Sequence, residues 1–392
     1  MNSEKKKLPK IDYGIIFTLI LLTIFSLVTI YSAQTTAQYK ESNFIMGQLR
    51  WYVISIVAIA IIIRFDSDQL KKISWYLYGI GLFMLFVLFV APGNLSFARE
   101  VNGAQSWFFT PLGSVQPSEF MKLFTILVLA RVISDHNHKF IYKTIKSDMW
   151  LLVKLGLIIA PPSFLVLIQP DLGTTLVFIA ILFAVILVSG ISWKILVPLF
   201  SFITVLAGAL LYIAIWHYEL LQGVLEPHQY RRIYSWLDPY SYRTDEGMQL
   251  IQSLLSVGSG QTTGKGFGNR EVYISESHSD FIFSTIGEEF GFIGGSILIS
   301  LFFLLIYQIM RTGIATNNSF YSYICAGVIG MLTFHVFQNI GMTVQLLPIT
   351  GIPLPFISYG GSSLLSNMMT IAVILSIRYH YKKYMFSSDP ES

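Results

Sequence analysis

The sequence predicts an all-α, polytopic integral membrane protein of about ten transmembrane helices, with both termini cytoplasmic and one long outer loop. Three observations carry this expectation. Of the 392 residues, 54% are hydrophobic and only 12% charged, where a soluble domain carries about 25% charge. Apolar runs of about 20 residues, the length that crosses a hydrocarbon core, recur along the chain. The basic residues of the short connections fall mainly in alternate ones. An ordinary soluble enzyme, a disordered chain and a secreted disulfide scaffold are thereby excluded, and Cys325, the single cysteine, offers neither a disulfide nor a thiolate metal site. The net charge of +4 includes no long basic block, which argues against a nucleic-acid partner.

The apolar runs lie at about 13–31, 50–64, 75–91, 116–133, 150–169, 172–190, 193–216, 281–309, 320–345 and 360–378. The first follows Lys5, Lys6 and Lys7 but exceeds a signal's apolar region and lacks a small-residue cleavage site, so it reads as an uncleaved helix. Lysine and arginine are retained on the cytoplasmic side of short loops. That rule places Lys10, Arg64, Lys71, Lys72, Arg131, Lys139, Lys143, Lys146, Lys194, Arg311, Arg378, Lys382 and Lys383 inside, leaving only Lys40, Arg50 and Arg99 in short outer loops. The chain is expected to form one domain over 1–392, interrupted by an outer loop at 217–280. A loop of that length is usually functional. Within it, Met248 to Val257 is apolar but too short to cross a bilayer, and so is Val344 to Phe356 with Pro348, Pro353 and Pro355. The second segment lies in a stretch, Thr312 to Ile377, that has no Asp, Glu, Lys or Arg. Both are expected at the outer surface or dipping into it, walling a groove for lipid tails.

Ionisable groups in apolar surroundings are expensive, and each is a candidate for function or for a buried pair. Glu119 and Lys122 stand three residues apart on one helical face and can pair while facing a cavity. Asp171, in Gln169-Pro-Asp-Leu-Gly-Thr-Thr, sits in an outer turn where it can cap the next helix. Asp280 lies at the outer mouth of the eighth run, between Glu276-Ser-His-Ser and Phe281-Ile-Phe, where partial burial would make it a better base. An N-cap is the plainer reading of the same residue. Glu288 and Glu289 are adjacent and need a partner or a proton. His335, Gln338 and Asn339 form a polar stripe suited to interhelical hydrogen bonds.

Three patterns are set aside. Ser259-Gly-Gln-Thr-Thr-Gly-Lys-Gly resembles a phosphate-binding loop but lacks its first glycine and its final Ser or Thr. Asp135-His-Asn-His has too few partners to ligate metal and reads as a solvated cytoplasmic turn. Asn94-Leu-Ser matches a glycosylation pattern that recurs by chance.

Gly351-Ile-Pro-Leu-Pro-Phe-Ile-Ser-Tyr-Gly-Gly-Ser-Ser, Gln116-Pro-Ser-Glu-Phe-Met-Lys and Ser279-Asp-Phe-Ile-Phe-Ser-Thr-Ile-Gly-Glu-Glu-Phe-Gly together resemble the SEDS family of bacterial cell-wall proteins (RodA, FtsW, SpoVE) over nearly the whole chain. Asn339-Ile-Gly-Met and Gly351-Ile-Pro-Leu-Pro are most similar to the elongation branch, RodA. The resemblance implies a ten-helix peptidoglycan glycosyltransferase of the bacterial cytoplasmic membrane that polymerises lipid II at the outer leaflet. It implies a class B penicillin-binding protein and other elongation-complex proteins as partners, besides membrane lipid. It carries the catalytic role onto Asp280, cavity roles onto Glu119 and Lys122, and the family's Gln-Pro-Asp-Leu-Gly-Thr turn onto Asp171. Ser106 stands where the family often has arginine, and no role is given to it.

On that reading Asp280 takes the proton of the acceptor hydroxyl as it attacks the donor's anomeric carbon, with inversion, and undecaprenyl pyrophosphate leaves. The departing pyrophosphate needs positive charge. Arg231 and Arg232 are the first candidates to supply it, with Lys265, Arg270 and Lys122 as others. A divalent cation, Mg or Mn, would be shared with the substrate's phosphates, since the sequence shows no dedicated cage; no organic cofactor is expected. Rival readings are a flippase for lipid II, a division-specific polymerase of FtsW type, and a scaffold for a partner synthase.

Overall fold

The computed structural model describes residues 12–380 apart from 36–42, 93–94, 96, 100–104, 112, 217–226 and 244–245. Lys5, Lys6, Lys7, Lys10, Lys40, Asn94, Lys382 and Lys383 lie outside the described residues. Each predicted apolar run coincides with a helix: α1 (Tyr13–Thr35), α2 (Phe44–Ile62), α3 (Ser67–Val90), α4 (Pro117–Lys139), α5 (Ile145–Ile168), α6 (Leu172–Val188), α7 (Trp193–Trp216), α10 (Ile282–Ala315), α11 (Ser319–Thr343) and α12 (Gly361–His380). Among the described residues seven of these are long and apolar enough to cross a membrane: α1, α2, α3, α5, α10, α11 and α12. The apolar parts of α6 and α7 are shorter, and α4 carries Glu119, Lys122 and Arg131 along its length.

The long outer loop contains α8 (Pro227–Leu237) and α9 (Glu246–Ser259). A hairpin of β1 (Phe108–Thr110) and β2 (Gly113–Val115), which the sequence reading did not anticipate, pairs antiparallel before α4. Asp135-His-Asn-His is not a solvated turn. α4 runs on to Lys139, His136 is buried, and Asn137 Nδ2 bonds Ser189 O at 3.0 Å and Tyr323 Oη at 2.8 Å.

Helix starts follow local chemistry. Asp66 with Gln69 and Thr144 with Ser147 form capping boxes at α3 and α5, satisfying amides that have no partner inside the helix. Pro117 opens α4, where its missing N–H costs nothing. The bundle is centred on α4 and α11, which pack on each other; α4 also contacts α3, α5, α6 and α12, and α11 contacts α6, α9, α10 and α12. Both are buried on most faces between Met121 and Ala130 and between Phe320 and Leu332, as expected of helices surrounded by others rather than by lipid.

The apolar outer segment 248–257 is the body of α9, which packs against α10. Leu250 is buried with Ile274, Phe281, Met342 and Ile349 in a second, smaller core under the outer loop. In the 344–356 segment, which is not helical, Ile352, Leu354 and Phe356 are buried as well. The two segments therefore bury much of their apolar surface in protein, and the expected lipid groove would be left with Met248, Leu255, Val344 and Leu346, which remain exposed.

α10 is broken at Gly291, whose φ of 62° and ψ of −158° lie in a region open essentially to glycine alone. The loop 259–266 fills the break. Lys265 N and Gly266 N donate to Glu288 O and Glu289 O at 2.9 and 3.0 Å, while Phe292 N and Ile293 N donate to Gln261 O and Thr262 O at 2.9 and 3.1 Å. The segment that resembles a phosphate loop is thus a backbone plug, and its glycines let two main chains touch. A Cβ on Gly291 would stand 2.8 Å from Gly260 O.

Gly291→Ala is expected to destabilise the protein by about 1–3 kcal/mol, through the left-handed backbone and the clash with the plug. Gly156→Ala, where nothing lies within 4 Å of the new methyl, is expected to be neutral or stabilising by about 0.5–1 kcal/mol. Thermal unfolding of the detergent-solubilised variants compares the two, and equal melting would refute the role of the plug.

Candidate functional site

The site is built where the starts of α4, α6 and α10 meet the 344–358 segment on the face assigned as outer. That segment leaves helical geometry at Gln345, Gly351 and Phe356, all with positive φ. Its carbonyls are taken up by side chains of the surrounding helices. Gln338 Nε2 donates to Pro348 O at 2.9 Å, Asn339 Nδ2 to Ile352 O at 2.8 Å, Tyr52 Oη to Phe356 O at 3.0 Å and Ser26 Oγ to Ile357 O at 2.8 Å. The stripe of α11 does form hydrogen bonds: Gln338 and Asn339 bond mainly to this segment, and His335 also meets Lys122 of the neighbouring α4.

The same segment holds Asp280. Ser358 Oγ donates to Ser279 O at 2.7 Å, Tyr359 N to His278 O at 2.9 Å, and Asn339 Nδ2 to Asp280 O at 2.7 Å. A Cβ on Gly351 would lie 3.4 Å from Asp280 Oδ2, so the carboxylate rests against a glycine. Asp280 is not the N-cap of α10. Phe281 is, without a side-chain bond, and among the described residues no hydrogen bond reaches the Asp280 carboxylate. Half-buried and without donors, it is pushed up to about 7, first by desolvation, then by the charges of Glu276 and Asp171; the guanidinium of Arg232 pulls the other way. His278 stacks on Phe44 at 4.3 Å, and burial holds its imidazole below the usual range against the opposing pull of Glu276.

Glu119 and Lys122, in the first turns of α4, are buried and paired: Lys122 Nζ is 2.8 Å from Glu119 Oε1. Lys122 also approaches His335 Nε2 at 3.1 Å, and His335 Nδ1 faces Pro353 O at 3.4 Å. A protonated amine can only donate, so Nε2 accepts and Nδ1 carries the proton toward the carbonyl. Glu119 Oε2 is buried without a hydrogen-bond partner among the described residues. Asp171 caps α6, accepting from Thr174 N at 2.9 Å and Thr174 Oγ1 at 2.7 Å, and Gln116 Nε2 reaches its Oδ2 at 3.1 Å. Burial raises Asp171 despite the two Thr174 bonds, and the fields of Glu119 and Lys122 oppose one another there. Asp171 therefore stands in electrostatic reach of both the Glu119–Lys122 pair and Asp280.

Of the proposed phosphate ligands, Arg232 joins this group from α8, its Nε buried without a partner among the described residues. The side chain of Arg231 lies outside the described residues. Lys265 and Arg270 are committed elsewhere. Glu288 Oε1 accepts from Lys265 Nζ at 2.9 Å and from Glu271 N at 2.8 Å, while Glu289 faces Arg270 Nε at 3.4 Å and accepts from Ser32. The adjacent glutamates thus each find a cation, and those cations stabilise the loop. Asn339, which orients the Asp280 backbone, was visible in the sequence only as one member of a polar stripe. Gln116 gave no signal apart from its motif.

Among the described residues no group of three or more His, Cys, Asp or Glu could hold a metal ion.

A family model described as "Cell cycle protein", covering FtsW, RodA and SpoVE, matches residues 13–383. The stage V sporulation protein E of Bacillus subtilis is 34% identical, over 94% of this chain and 97% of that protein. A Nitrosomonas europaea protein named "Probable peptidoglycan glycosyltransferase FtsW" is 32% identical, over 94% and 93%. Among solved structures, a chain from a peptidoglycan synthase complex described as coordinating polymerization and crosslinking superposes with a TM-score of 0.75 at 26% identity, covering 94% of this chain and 97% of that one. The rod shape determining protein RodA of Thermus thermophilus superposes with a TM-score of 0.66 at 25% identity, covering 94% and 96%.

Lys122→Met is expected to destabilise the fold by about 3–5 kcal/mol, because it leaves Glu119 buried without its cation. Adding Glu119→Gln should recover much of that loss. Melting temperatures of the single and double variants decide the point, and additive losses would contradict the pairing.

Proposed function

We propose, from the premise that this chain belongs to the SEDS family of FtsW, RodA and SpoVE, that it is a peptidoglycan glycosyltransferase polymerising lipid II at the outer face of the bacterial cytoplasmic membrane. The protein is a multi-pass membrane protein of the bacterial cell-wall machinery. The two hydrophobic clusters, one through the bundle and one under the outer loop, support treating 1–392 as a single membrane domain.

The observation that carries the catalytic assignment is Asp280, a carboxylate held against Gly351 with no donor on its oxygens among the described residues and pushed up to about 7. A base whose pKa lies near the working pH accepts a proton most effectively. Asp280 takes the proton from the acceptor hydroxyl, the oxygen of that hydroxyl bonds the donor's anomeric carbon, and the bond from that carbon to the pyrophosphate breaks. Direct displacement inverts the anomeric carbon, and undecaprenyl pyrophosphate is released. In this reading Arg232, on α8, takes the departing phosphates, with Arg231 next to it in sequence. Glu119, Lys122 and Asp171, on the same reading, bind substrate through their charges and hydrogen-bonding groups. In this reading a magnesium or manganese ion comes bound to the substrate's own phosphates and supplies positive charge to the leaving group.

A class B penicillin-binding protein is the partner this reading favours, and the likeness to a chain of a peptidoglycan synthase complex supports it. Membership of the elongation branch rests on Asn339-Ile-Gly-Met and Gly351-Ile-Pro-Leu-Pro. Restoration of rod shape in cells lacking their elongation polymerase tests that branch; restoration of septation instead assigns the chain to division. A flippase would move lipid II across vesicles without making polymer.

With purified lipid II, Asp280→Asn is expected to abolish polymerisation while leaving insertion and melting temperature unchanged. For the unsubstituted protein the rate should rise with pH through about 7, as the raised carboxyl loses its proton, and fall away below it. Retained polymer synthesis by Asp280→Asn, or a rate independent of pH across that range, would overturn the assignment. A chelator is expected to lower the rate and added Mg or Mn to restore it.

A further inference from the structure

α8 carries Arg232 to the site, yet α8 belongs to a loop outside the bundle, so something must fix where it sits. Trp236 and Gln345 meet in a reciprocal pair. Trp236 Nε1 donates to Gln345 O at 3.0 Å, and Gln345 Nε2 donates to Trp236 O at 2.9 Å. Gln345 follows Val344, the C-cap of α11, and has a φ of 61°, a left-handed conformation that a non-glycine residue adopts at a cost. Trp236 lies four residues beyond Arg232, one helical turn along the same face of α8. The pair therefore joins the Arg232 face of α8 to the end of the helix that, through Asn339, holds Asp280. An amphipathic helix lying on the protein surface needs such a tie if one of its side chains is to bear on a fixed carboxylate.

We infer that Trp236 and Gln345 form a positioning clasp, setting α8 so that the Arg232 guanidinium faces Asp280 and the pyrophosphate that leaves beside it. The inference rests on the polymerase reading above and adds to it two residues that touch neither substrate nor the reacting atoms. Arg232 lends itself to this role because its Nε is buried without a partner among the described residues. Among the described residues, the charged groups bearing on Asp280 are Glu276 from its own turn, Arg232 from α8 and Asp171 from the turn before α6. α11 and the 344–358 segment bring no Asp, Glu, Lys or Arg, and their His335 is engaged with Lys122. Arg232 is thus the cation whose displacement Asp280 would register, and loosening the clasp should act on Asp280 as loss of Arg232 does.

The test is the pH–rate profile of lipid II polymerisation by the full-length protein, for Arg232→Gln, Trp236→Phe, Gln345→Gly and the double variant Arg232→Gln with Gln345→Gly. Glycine accepts the left-handed φ without strain, so Gln345→Gly removes the amide alone. Trp236→Phe removes the other donor and keeps an aromatic ring, which guards against one variant failing to fold. An opposite charge near a carboxylate favours its ionised form, so losing that charge moves the acid limb to higher pH. Each single variant is expected to shift the limb upward by about half a unit or more, and the double variant no further than Arg232→Gln. A uniform drop in rate with the limb unmoved in Gln345→Gly and Trp236→Phe would make the pair merely structural and overturn the inference, as would shifts that add in the double variant. Asp280→Asn, run in parallel, separates the two failures: if it still makes polymer, the polymerase reading falls, and if it is inactive while the clasp variants keep the unsubstituted profile, only the clasp falls.

Discussion

Backbone that leaves helical geometry at membrane depth must have its amides and carbonyls satisfied by the protein itself, because lipid offers no partners. Much of the structure follows from that constraint. The 344–358 segment, rich in proline and free of charged side chains, is held by Gln338, Asn339, Tyr52 and Ser26 reaching its carbonyls. The break at Gly291 is closed by the 259–266 plug through four main-chain bonds. Both solutions bring loops into the bundle, and the 344–358 segment places its backbone beside Asp280. The carboxylate is thereby fixed without being used as a structural acceptor.

A second pattern concerns where charge is neutralised. Glu288 is matched with Lys265 and Glu289 with Arg270, while Glu119 is matched with Lys122. The Glu288–Lys265 and Glu289–Arg270 pairs offset their own desolvation and contribute chiefly to arrangement, as buried pairs commonly do. Asp280 differs from them in lacking a bonded partner, so its environment raises its proton affinity instead of stabilising its charge. Asp171 lies between the two regimes: a helix cap with good donors, yet within the field of both the pair and Asp280. A reactive base beside fixed, internally neutralised charge is a reasonable arrangement for displacing a multiply charged leaving group.

Much of this was legible in the chain. Apolar length marks every long helix, and the scarcity of intramembrane charge points to Glu119, Lys122, Asp171 and Asp280. The errors share a cause. His136 and Asn137 look like surface residues in a polar tetrapeptide, but α4 continues past its apolar run, burying His136 and half-burying Asn137 against α5, α11 and the turn after α6. Lys265 and Arg270 look free to bind phosphate because their partners, Glu288 and Glu289, lie beyond the apparent end of the loop. The hairpin at 108–115 is too short and too irregular in pattern to announce itself. In each case a contact distant in sequence decided the outcome, and local pattern carries no record of such contacts.

Periodicity, apolar length and charge placement are properties of neighbouring residues, so the sequence by itself determined that the chain crosses a membrane repeatedly and which few polar groups would stand in apolar surroundings. Only the tertiary structure decided their roles. Whether a carboxylate is neutralised, used as a cap or left as a base depends on donors arriving from elements far away in the chain. Glu288 received four donors, including Lys265 and two backbone amides. The Asp280 carboxylate received none among the described residues. That difference arises from how α10, its plug and the 344–358 segment pack together, and packing is where the chemistry of this protein was settled.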